Sequence, residues 1–258
     1  MSKLSKPELK LHNEALRLLE KDKLTIEDKL FVLEHWQEGA THINSAAGAF
    51  FTCPGLARDF AIEVTGRRVI DLCAGIGSLS FAVWLKEYED DAFDMTCVEI
   101  NPSYVEVGKK ILPQATWICG SIFDVEFDHK FDCAISNPPF GNIKTGREND
   151  GFGGFEFSAI VRASQLARRG VFILPQMSTP FKYSGSQCFE KTMPDKVKRF
   201  IDKTGIEYEM NCGIDTSQYL KSWHGVSPLC EACNFEFESS KPSPVPVQKS
   251  DNQLQLFG

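Results

Sequence analysis

The sequence predicts an α/β fold whose sheet is mostly parallel and carries helices on both faces. Three observations indicate this. A short β-rich run at 67–72 is followed by a glycine turn and an apolar helix. The next strand, Met95 to Glu99, ends in an acid 28 residues after Asp71. Two further strands also end in polar residues. Strand, glycine turn and helix open a nucleotide-binding βαβ unit, and doubly wound sheets bind ligands at their strand ends.

Composition is that of a soluble globular protein. The 258 residues are 42% hydrophobic and 24% charged, which fits one large domain with appendages or two small ones. Most of the nine cysteines lie in apolar runs, as buried free thiols do. No apolar run approaches the roughly 20 residues of a membrane span, and the Lys-rich start lacks the pattern of a signal peptide. We therefore expect a reducing, cytoplasmic setting.

Charge is unevenly distributed along the chain. The net charge of −7 argues mildly against a nucleic-acid partner, but residues 141–203 hold 11 Lys and Arg against 6 Asp and Glu. A solvated helix face explains such a run as well as phosphate contact does. The candidate phosphate-binding residues are Lys182, Lys191, Lys196, Lys198 and Arg199.

The first 46 residues are predicted to form an accessory helical extension. Ser5 with Glu8 is a capping box, and Thr25 with Asp28 resembles a second one. Two short amphipathic helices need a surface to pack on, which we expect the following domain to supply. A small-residue and aromatic loop comes next, and Pro54 can begin a helix there.

Four consecutive strand ends carry candidate ligand groups. Gly75 and Gly77 allow a ligand to approach the backbone closely. Glu99 is placed to accept both hydroxyls of a ribose. After a third strand, Ala115 to Cys119, Asp124 could bind an exocyclic amine and Phe123 could flank a base. Helix caps and ordinary turns explain each feature singly, but the four together favour a nucleoside site.

The fourth strand ends in the tetrad Asn137-Pro138-Pro139-Phe140. Proline has no N–H, so the carbonyl of Pro138 stays outside a regular ladder, beside the side-chain oxygen of Asn137. Two acceptors next to an aromatic ring can hold a planar –NH2 group while the ring stacks on its plane. The alternative is a strand-terminating turn, because Asn-Pro and Pro-Pro are common turn signals.

With all four strand ends in view, the chain resembles class I S-adenosylmethionine-dependent methyltransferases, and among them the adenine-N6 enzymes with a (D/N/S)PP(F/Y/W) tetrad. The resemblance extends from about Ala47 to Glu238 and implies a Rossmann-like, seven-stranded, mostly parallel sheet. It implies that the methionine part of the cofactor lies against Asp71, Ala74, Gly75 and Gly77. It further implies that Glu99 and Ile100 hold the ribose side, Phe123 and Asp124 the cofactor adenine, and Asn137 to Phe140 the target base.

Two departures from that pattern bear on function. The stretch Phe51-Thr52-Cys53-Pro54-Gly55-Leu56 is similar to the family's FFTPPxxLA segment, which touches the methionine moiety, but Cys53 replaces a proline and one residue is missing before Leu56. Phe51 and Thr52 are therefore candidate cofactor contacts through the resemblance alone. No large recognition domain follows the tetrad. The segment 141–203 instead contains a predicted helix, Phe155 to Arg168, a strand, Val171 to Leu174, and the Lys-rich insert, which implies short or loose sequence recognition.

Past residue 203 we predict two returning strands, Tyr208 to Ile214 and Phe235 to Phe237, that form the reversed hairpin of this fold. Cys230 and Cys233, with Cys212 and His224 nearby, could suggest zinc. A single Cys-x-x-Cys without a second spaced pair is a weak signal, so we predict no metal.

Residues 239–258 are predicted to be a Pro- and Ser-rich linker followed by an interaction peptide. Its last residues resemble the QLxLF peptide that docks bacterial proteins on the DNA polymerase sliding clamp. Gln253 would be the polar anchor, and Leu254, Leu256 and Phe257 would enter an apolar pocket. The alternative is an apolar tail that packs on its own domain. The clamp interpretation implies a bacterial, phage or plasmid setting.

The leading hypothesis is therefore a DNA adenine-N6 methyltransferase that uses S-adenosylmethionine and is tethered to the clamp. Similar tetrads also serve enzymes that methylate adenine in ribosomal RNA or the side-chain amide of glutamine. A different class is a non-catalytic module that binds the clamp or DNA and keeps a vestigial cofactor fold. Cofactor binding would separate this module from the enzymes.

Overall fold

The computed structural model of the chain describes residues 4–37, 51–140, 152, 154–209, 213–223 and 229–238. Its strands are β1 (Arg68–Leu72), β2 (Asp94–Glu99), β3 (Thr116–Cys119), β4 (Phe131–Ser136), β5 (Ala167–Pro175), β6 (Phe181–Lys182), β7 (Glu190–Lys191) and β8 (Cys230–Glu236). Its helices are α1 (Lys6–Leu19), α2 (Ile26–His35), α3 (Pro54–Ala61), α4 (Ser78–Glu87), α5 (Pro102–Ile111), α6 (Phe155–Leu166) and α7 (Asp195–Thr204).

The main sheet confirms the predicted α/β architecture. Its strand order is β3-β2-β1-β4-β5-β8. Neighbours from β3 to β5 are parallel, whereas β8 runs antiparallel to β5. The strand order reverses between β1 and β4. In doubly wound sheets the ligand crevice lies at the carboxyl ends of the strands beside such a reversal.

The predicted strand count is wrong by one within the described ranges, where the main sheet has six strands rather than seven. The strand expected at 208–214 is irregular up to residue 209, and residues 210–212 lie outside those ranges. The segment nevertheless borders β8, because the Glu209 N–H donates to the Asn234 carbonyl at 2.9 Å. The rings of Tyr208 and Phe235 lie 4.7 Å apart, so residues 208 and 209 pack against β8.

Helix boundaries follow local sequence signals. Both predicted capping boxes are present: the hydroxyls of Ser5 and Thr25 accept backbone N–H bonds, and Glu8 and Asp28 accept the return bonds. Helix α3 begins at the predicted Pro54. None of the helices in the described part of the chain is long and apolar enough to cross a membrane.

Two hydrophobic clusters cover the two faces of the sheet. Adjacent residues of β1 alternate between them, with Val69 in the first cluster and Ile70 in the second. The first cluster also contains Val32 and Leu33 of α2. The N-terminal helices therefore share a hydrophobic core with the rest of the described chain.

The Cys-x-x-Cys pair lies on β8 with its two thiols on opposite faces of the sheet. Cys230 belongs to the first hydrophobic cluster and Cys233 to the second, and both are buried free thiols. Side chains three residues apart on a strand point in opposite directions, so these two sulfurs cannot bind one metal ion. Cys212 and His224 lie outside the described residues.

Candidate active site

The turn after β1 is shaped by three residues in the left-handed backbone region. Cys73, Gly75 and Gly77 have φ angles of 70°, 57° and 91°. Glycine adopts this region without steric cost, which accounts for two of the three residues. The N–H groups of Cys73 and Ala74 each donate to the Val98 carbonyl of β2 at 3.0 Å. The turn is thereby held against β2, and α4 begins directly after it.

Aromatic rings pack closely on both glycines of this turn. A Cβ atom on Gly75 would lie 3.0 Å from the ring of Phe51, and one on Gly77 would lie 3.2 Å from the ring of Trp117. The Phe51 ring makes edge contacts with Trp36 at 5.5 Å and with Tyr104 at 5.1 Å between centroids. Phe51 therefore links the end of α2 and α5 to the glycine turn.

Asp71 is a buried acid that lines a cleft beside the glycine turn. Its side chain is 1% exposed. The Ser80 hydroxyl donates to Oδ2 at 2.5 Å, and the Cys97 thiol donates to Ser80 at 3.2 Å. Oδ1 has no hydrogen-bond partner among the described residues. Burial raises the pKa of Asp71 to about 7, although the Ser80 bond favours the charged form. Such an oxygen gains most from a cationic ligand group.

Glu99 closes β2 with both carboxylate oxygens bonded to backbone donors. Oε2 accepts from the Gly75 N–H at 2.9 Å and Oε1 from the Asn101 N–H at 2.7 Å. Burial raises the pKa of Glu99 despite these bonds. Each oxygen keeps a second lone pair, so ribose hydroxyls can still donate to it. The neighbouring Ile100 is 70% exposed and offers an apolar surface at this strand end.

The loop after β3 presents the residues expected at the cofactor adenine. Asp124 is exposed and Phe123 is half-buried. The Phe123 ring meets Phe155 of α6 edge-on at 5.7 Å. The Arg162 guanidinium fixes both sides of this loop, because it donates to the Ile122 carbonyl at 3.0 Å and to the Val125 carbonyl.

The tetrad follows β4 at the switch point, beside the glycine turn. Asn137 donates from Nδ2 to the Thr52 hydroxyl at 3.0 Å. The Ser136 hydroxyl donates to the Leu72 carbonyl and so ties β4 to β1. Pro138 is buried, whereas Pro139 and Phe140 are half-buried. The tetrad is therefore anchored on its cofactor side through both Ser136 and Asn137.

One cleft brings Asn137 together with part of the predicted cofactor set. Glu99, Phe123 and Asp124 are not among its lining residues, and Asn137 is the one tetrad residue that lines it. The empty space at this cleft, including the part open to solvent, is about 270 Å³. Asn137 of the tetrad thus shares a cavity with Asp71 of β1. The Ser78 hydroxyl, at the start of α4, is buried and has no hydrogen-bond partner among the described residues. The lining residues are Phe51, Thr52, Asp71, Cys73, Ala74, Gly75, Ser78, Leu79 and Asn137.

The candidate phosphate-binding residues divide into two groups. Lys182, Lys191, Lys198 and Arg199 are exposed. Lys196 differs, because its ammonium donates to the Ser178 hydroxyl at 2.7 Å and lies 3.4 Å from the buried Glu156 carboxylate. It also lies over the Phe157 ring at 5.6 Å. Lys196 therefore joins α7 to the residues after β5, so it does not fit the predicted phosphate contact.

Sequence reasoning missed several residues that position this edge of the sheet. The Ser80 hydroxyl donates to Asp71. The Arg162 guanidinium holds the loop that contains Phe123. Glu231 of β8 is fully buried and accepts the N–H groups of Tyr183 and Ser184 at 2.8 and 3.0 Å, which holds the loop after β5. An acid inside the apolar run of β8 was the available signal for Glu231.

The clamp-peptide residues Gln253, Leu254, Leu256 and Phe257 lie outside the described residues.

Comparison with known proteins finds methyltransferases among the similar families and structures. Residues 55–150 match a family model described as "Methyltransferase small domain". A solved structure of a proposed RNA methyltransferase from Pyrococcus horikoshii has a TM-score of 0.50 and 16% identity, over 90% of this chain and 98% of that one. No curated protein matches the chain at a significant level.

A second similar structure is the methyltransferase subunit of a type I restriction-modification system from Streptococcus thermophilus. Its TM-score is 0.50 and its identity is 13%, over 81% of this chain. The match spans 49% of that longer subunit.

The fold and the matched domain define a class I methyltransferase with a Rossmann-like sheet. The cofactor is S-adenosylmethionine, and this chain is an S-adenosylmethionine-dependent methyltransferase. The residues of the cleft fit this cofactor: Asp71 offers a buried oxygen without a partner among the described residues, and the backbone of Gly75 lines the same cleft.

Proposed function

We propose that the chain methylates the N6 amine of adenine in DNA, with short or loose sequence specificity. The observation that carries this proposal is the shared cleft of Asp71 and Asn137, which puts an amide acceptor beside the cofactor residues. Asn137 and the Pro138 carbonyl would hold the target amine, and Phe140 would stack on the flipped base.

The mechanism needs no nucleophile from the protein. Bound S-adenosylmethionine supplies an electrophilic methyl group on its sulfonium. Asp71, Ala74, Gly75 and Gly77 would hold its methionine part, and Glu99 its ribose. The lone pair of an adenine amine is delocalised into the ring, so the Asn137 oxygen and the Pro138 carbonyl would increase its nucleophilicity by accepting its hydrogens. Positioning and fixed dipoles would supply most of the acceleration.

DNA is favoured over other acceptors by two features of the chain. The exposed Lys182, Lys191, Lys198 and Arg199 follow the tetrad and suit phosphate contact. The sequence Gln253-Leu254-Gln255-Leu256-Phe257 suits recruitment to the sliding clamp. Adenine in ribosomal RNA is the second candidate, because one similar structure belongs to a proposed RNA methyltransferase.

The deciding experiment offers labelled S-adenosylmethionine to the full chain with duplex DNA, ribosomal RNA and protein in parallel, followed by nucleoside and amino-acid analysis. Label in N6-methyladenine of DNA is the expected result. Label in RNA or in glutamine would identify a different acceptor and weaken the proposal that the chain binds the sliding clamp. Cofactor binding without any transfer would remove the proposed activity.

Two variants separate the parts of the proposal. Asn137→Ala should abolish transfer and leave cofactor affinity nearly unchanged, and full activity in this variant would overturn the mechanism. Deletion of 253–258 should abolish binding to an isolated bacterial sliding clamp while activity on free DNA persists. Unchanged affinity for the clamp would contradict the proposed role of these residues in clamp binding, and the proposed methyltransferase activity would stand.

A further inference from the structure

We infer that Thr52 is a positioning residue that orients the side-chain amide of Asn137. This inference rests on the proposed role of Asn137 in binding the target amine. Nδ2 of Asn137 donates to Oγ1 of Thr52 at 3.0 Å, across 85 residues of sequence. Thr52 precedes α3 and Asn137 follows β4, so the bond joins two separate elements at the cleft.

Thr52 is held firmly enough to direct another side chain. It is 3% exposed. On one side, the Phe51 ring packs against the glycine turn. On the other, Cys53 is the N-cap of α3, and its carbonyl accepts from the Ala57 N–H at 3.0 Å. A β-branched side chain on an anchored backbone has few rotamers, so the hydroxyl oxygen has a defined position.

The chemistry makes the orientation of Asn137 decisive. An amide side chain has one acceptor end and one donor end, of nearly equal size. A target amine presents hydrogens, so only the Oδ1 end of Asn137 can bind it productively. A hydroxyl can bond either end of an amide, so the bond to Thr52 fixes the place of the Asn137 side chain. In the structure its partner is Nδ2, which is the orientation that binding of a target amine requires. A flipped amide would turn the NH2 group of Asn137 toward the hydrogens of the target amine.

The first test compares Thr52→Val with Thr52→Ser in the full chain. Valine keeps the shape of threonine but cannot accept a hydrogen bond, whereas serine can. Thr52→Val should lower kcat for methyl transfer to DNA by roughly 10-fold, in line with the net worth of one hydrogen bond. The Kd for S-adenosylmethionine, from titration calorimetry, should change less than about twofold. Thr52→Ser should restore most of the lost rate.

The second test repeats Thr52→Val in the Asn137→Asp background. A carboxylate has acceptors at both ends, so its productive orientation does not depend on Thr52. The loss of rate caused by Thr52→Val should therefore be much smaller in this background. A packing defect or a lost cofactor contact would give equal losses in both backgrounds, as independent effects do. If Asn137→Asp is too slow to measure, the comparison of valine with serine decides alone.

The outcomes keep this inference apart from the proposed function. An active wild-type chain with full kcat in Thr52→Val would overturn the role of Thr52 alone. So would a Kd for S-adenosylmethionine that rises while kcat stays constant, because Thr52 would then contact only the cofactor. A wild-type chain that binds S-adenosylmethionine but methylates no exocyclic amine or amide would overturn both.

Discussion

The Glu99 carboxylate accepts a hydrogen bond from the Gly75 N–H at 2.9 Å, so the end of β2 is fastened to the turn after β1. The other oxygen of Glu99 is bonded to the Asn101 N–H. A single acid therefore organises two strand ends, and it does so before any ribose hydroxyl is bound. This arrangement explains why an acid is needed at this strand end and an amide would not suffice.

Glu99→Gln should weaken S-adenosylmethionine binding by roughly 10- to 100-fold, the range expected for hydrogen bonds to a charged group. Glutamine keeps the size of glutamate but turns an NH2 group toward one of the two backbone donors. Calorimetric titration at pH 7.5 measures the change. The matched control is Glu106→Gln on α5, where the exposed acid pairs with Lys109 and the Kd should not change. Equal affinities in wild type and Glu99→Gln would contradict the assignment.

Asp71→Asn should raise the free energy of unfolding while it removes cofactor binding. The pKa of Asp71 is about 7 in the folded chain, against a reference value of 3.8. Between these values the native state holds a proton that the unfolded state releases, so stability falls as pH rises through this window. The cost is fully present above about pH 7, where the neutral Asn variant should gain roughly 1–3 kcal/mol. The gain should vanish near pH 4, and urea titrations at both pH values measure it.

Cofactor affinity should rise with pH as Asp71 ionises. A cationic amino group binds the carboxylate and not the neutral acid, so the Kd should increase by up to about tenfold per unit below pH 7. Above about pH 8 the α-amino group itself loses its charge and affinity should fall again. A Kd that stays constant from pH 5.5 to 7 would remove Asp71 as the ammonium contact.

Gly108→Ala should destabilise the fold by about 1–3 kcal/mol, as overpacking does. A Cβ atom at this position of α5 would lie 2.1 Å from the Trp117 ring, whose Nε1 is bonded to the Leu112 carbonyl at 3.0 Å. Alanine in a helix interior otherwise stabilises, so the direction of the change identifies the clash. Gly120→Ala is the control, because no atom lies within 4 Å of its Cβ position. Urea denaturation distinguishes the two variants.

Lys198→Ala combined with Arg199→Ala should weaken DNA binding and reduce the slope of log affinity against log salt by about 2. Both side chains are exposed on α7. Lys196→Met should instead leave the slope unchanged and lower the free energy of unfolding by about 1–3 kcal/mol, because it leaves the buried Glu156 without its cation. Lys109→Ala on α5 is the surface control. If only Lys196→Met changed the salt slope, Lys196 would be the phosphate contact, and Lys198 and Arg199 would not.

The sequence predicted the strand ends better than the side-chain contacts between them. Asp71 lies one residue before the end of β1, Glu99 ends β2 and Asn137 follows β4. Parallel strands bring such ends to one edge of a sheet. The caps of α1 and α2 could likewise be predicted from the sequence, because a capping box is a local pattern. These features depend on neighbouring residues and on one topological rule.

Contacts over long sequence separations could not be predicted in this way. Nothing near Thr52 indicates that its partner is Asn137, and nothing near Lys196 indicates that it lies beside a buried glutamate. Lys-rich patterns look alike whether the ammonium faces solvent or an acid. The pattern at 208–214 predicted a strand, yet the described residues 208 and 209 are irregular. Strand propensity depends on packing context as well as on the residues themselves.

Cys230 and Cys233 give the chain two internal probes on one strand, each under a different layer of helices. Thiol-reactive reagents modify a buried cysteine only when its surroundings open. Reaction at Cys230 would report loosening of the layer that holds the N-terminal helices, and reaction at Cys233 would report loosening on the α6 and α7 side. The order in which the two thiols become reactive under mild denaturant would therefore show which side of the sheet gives way first.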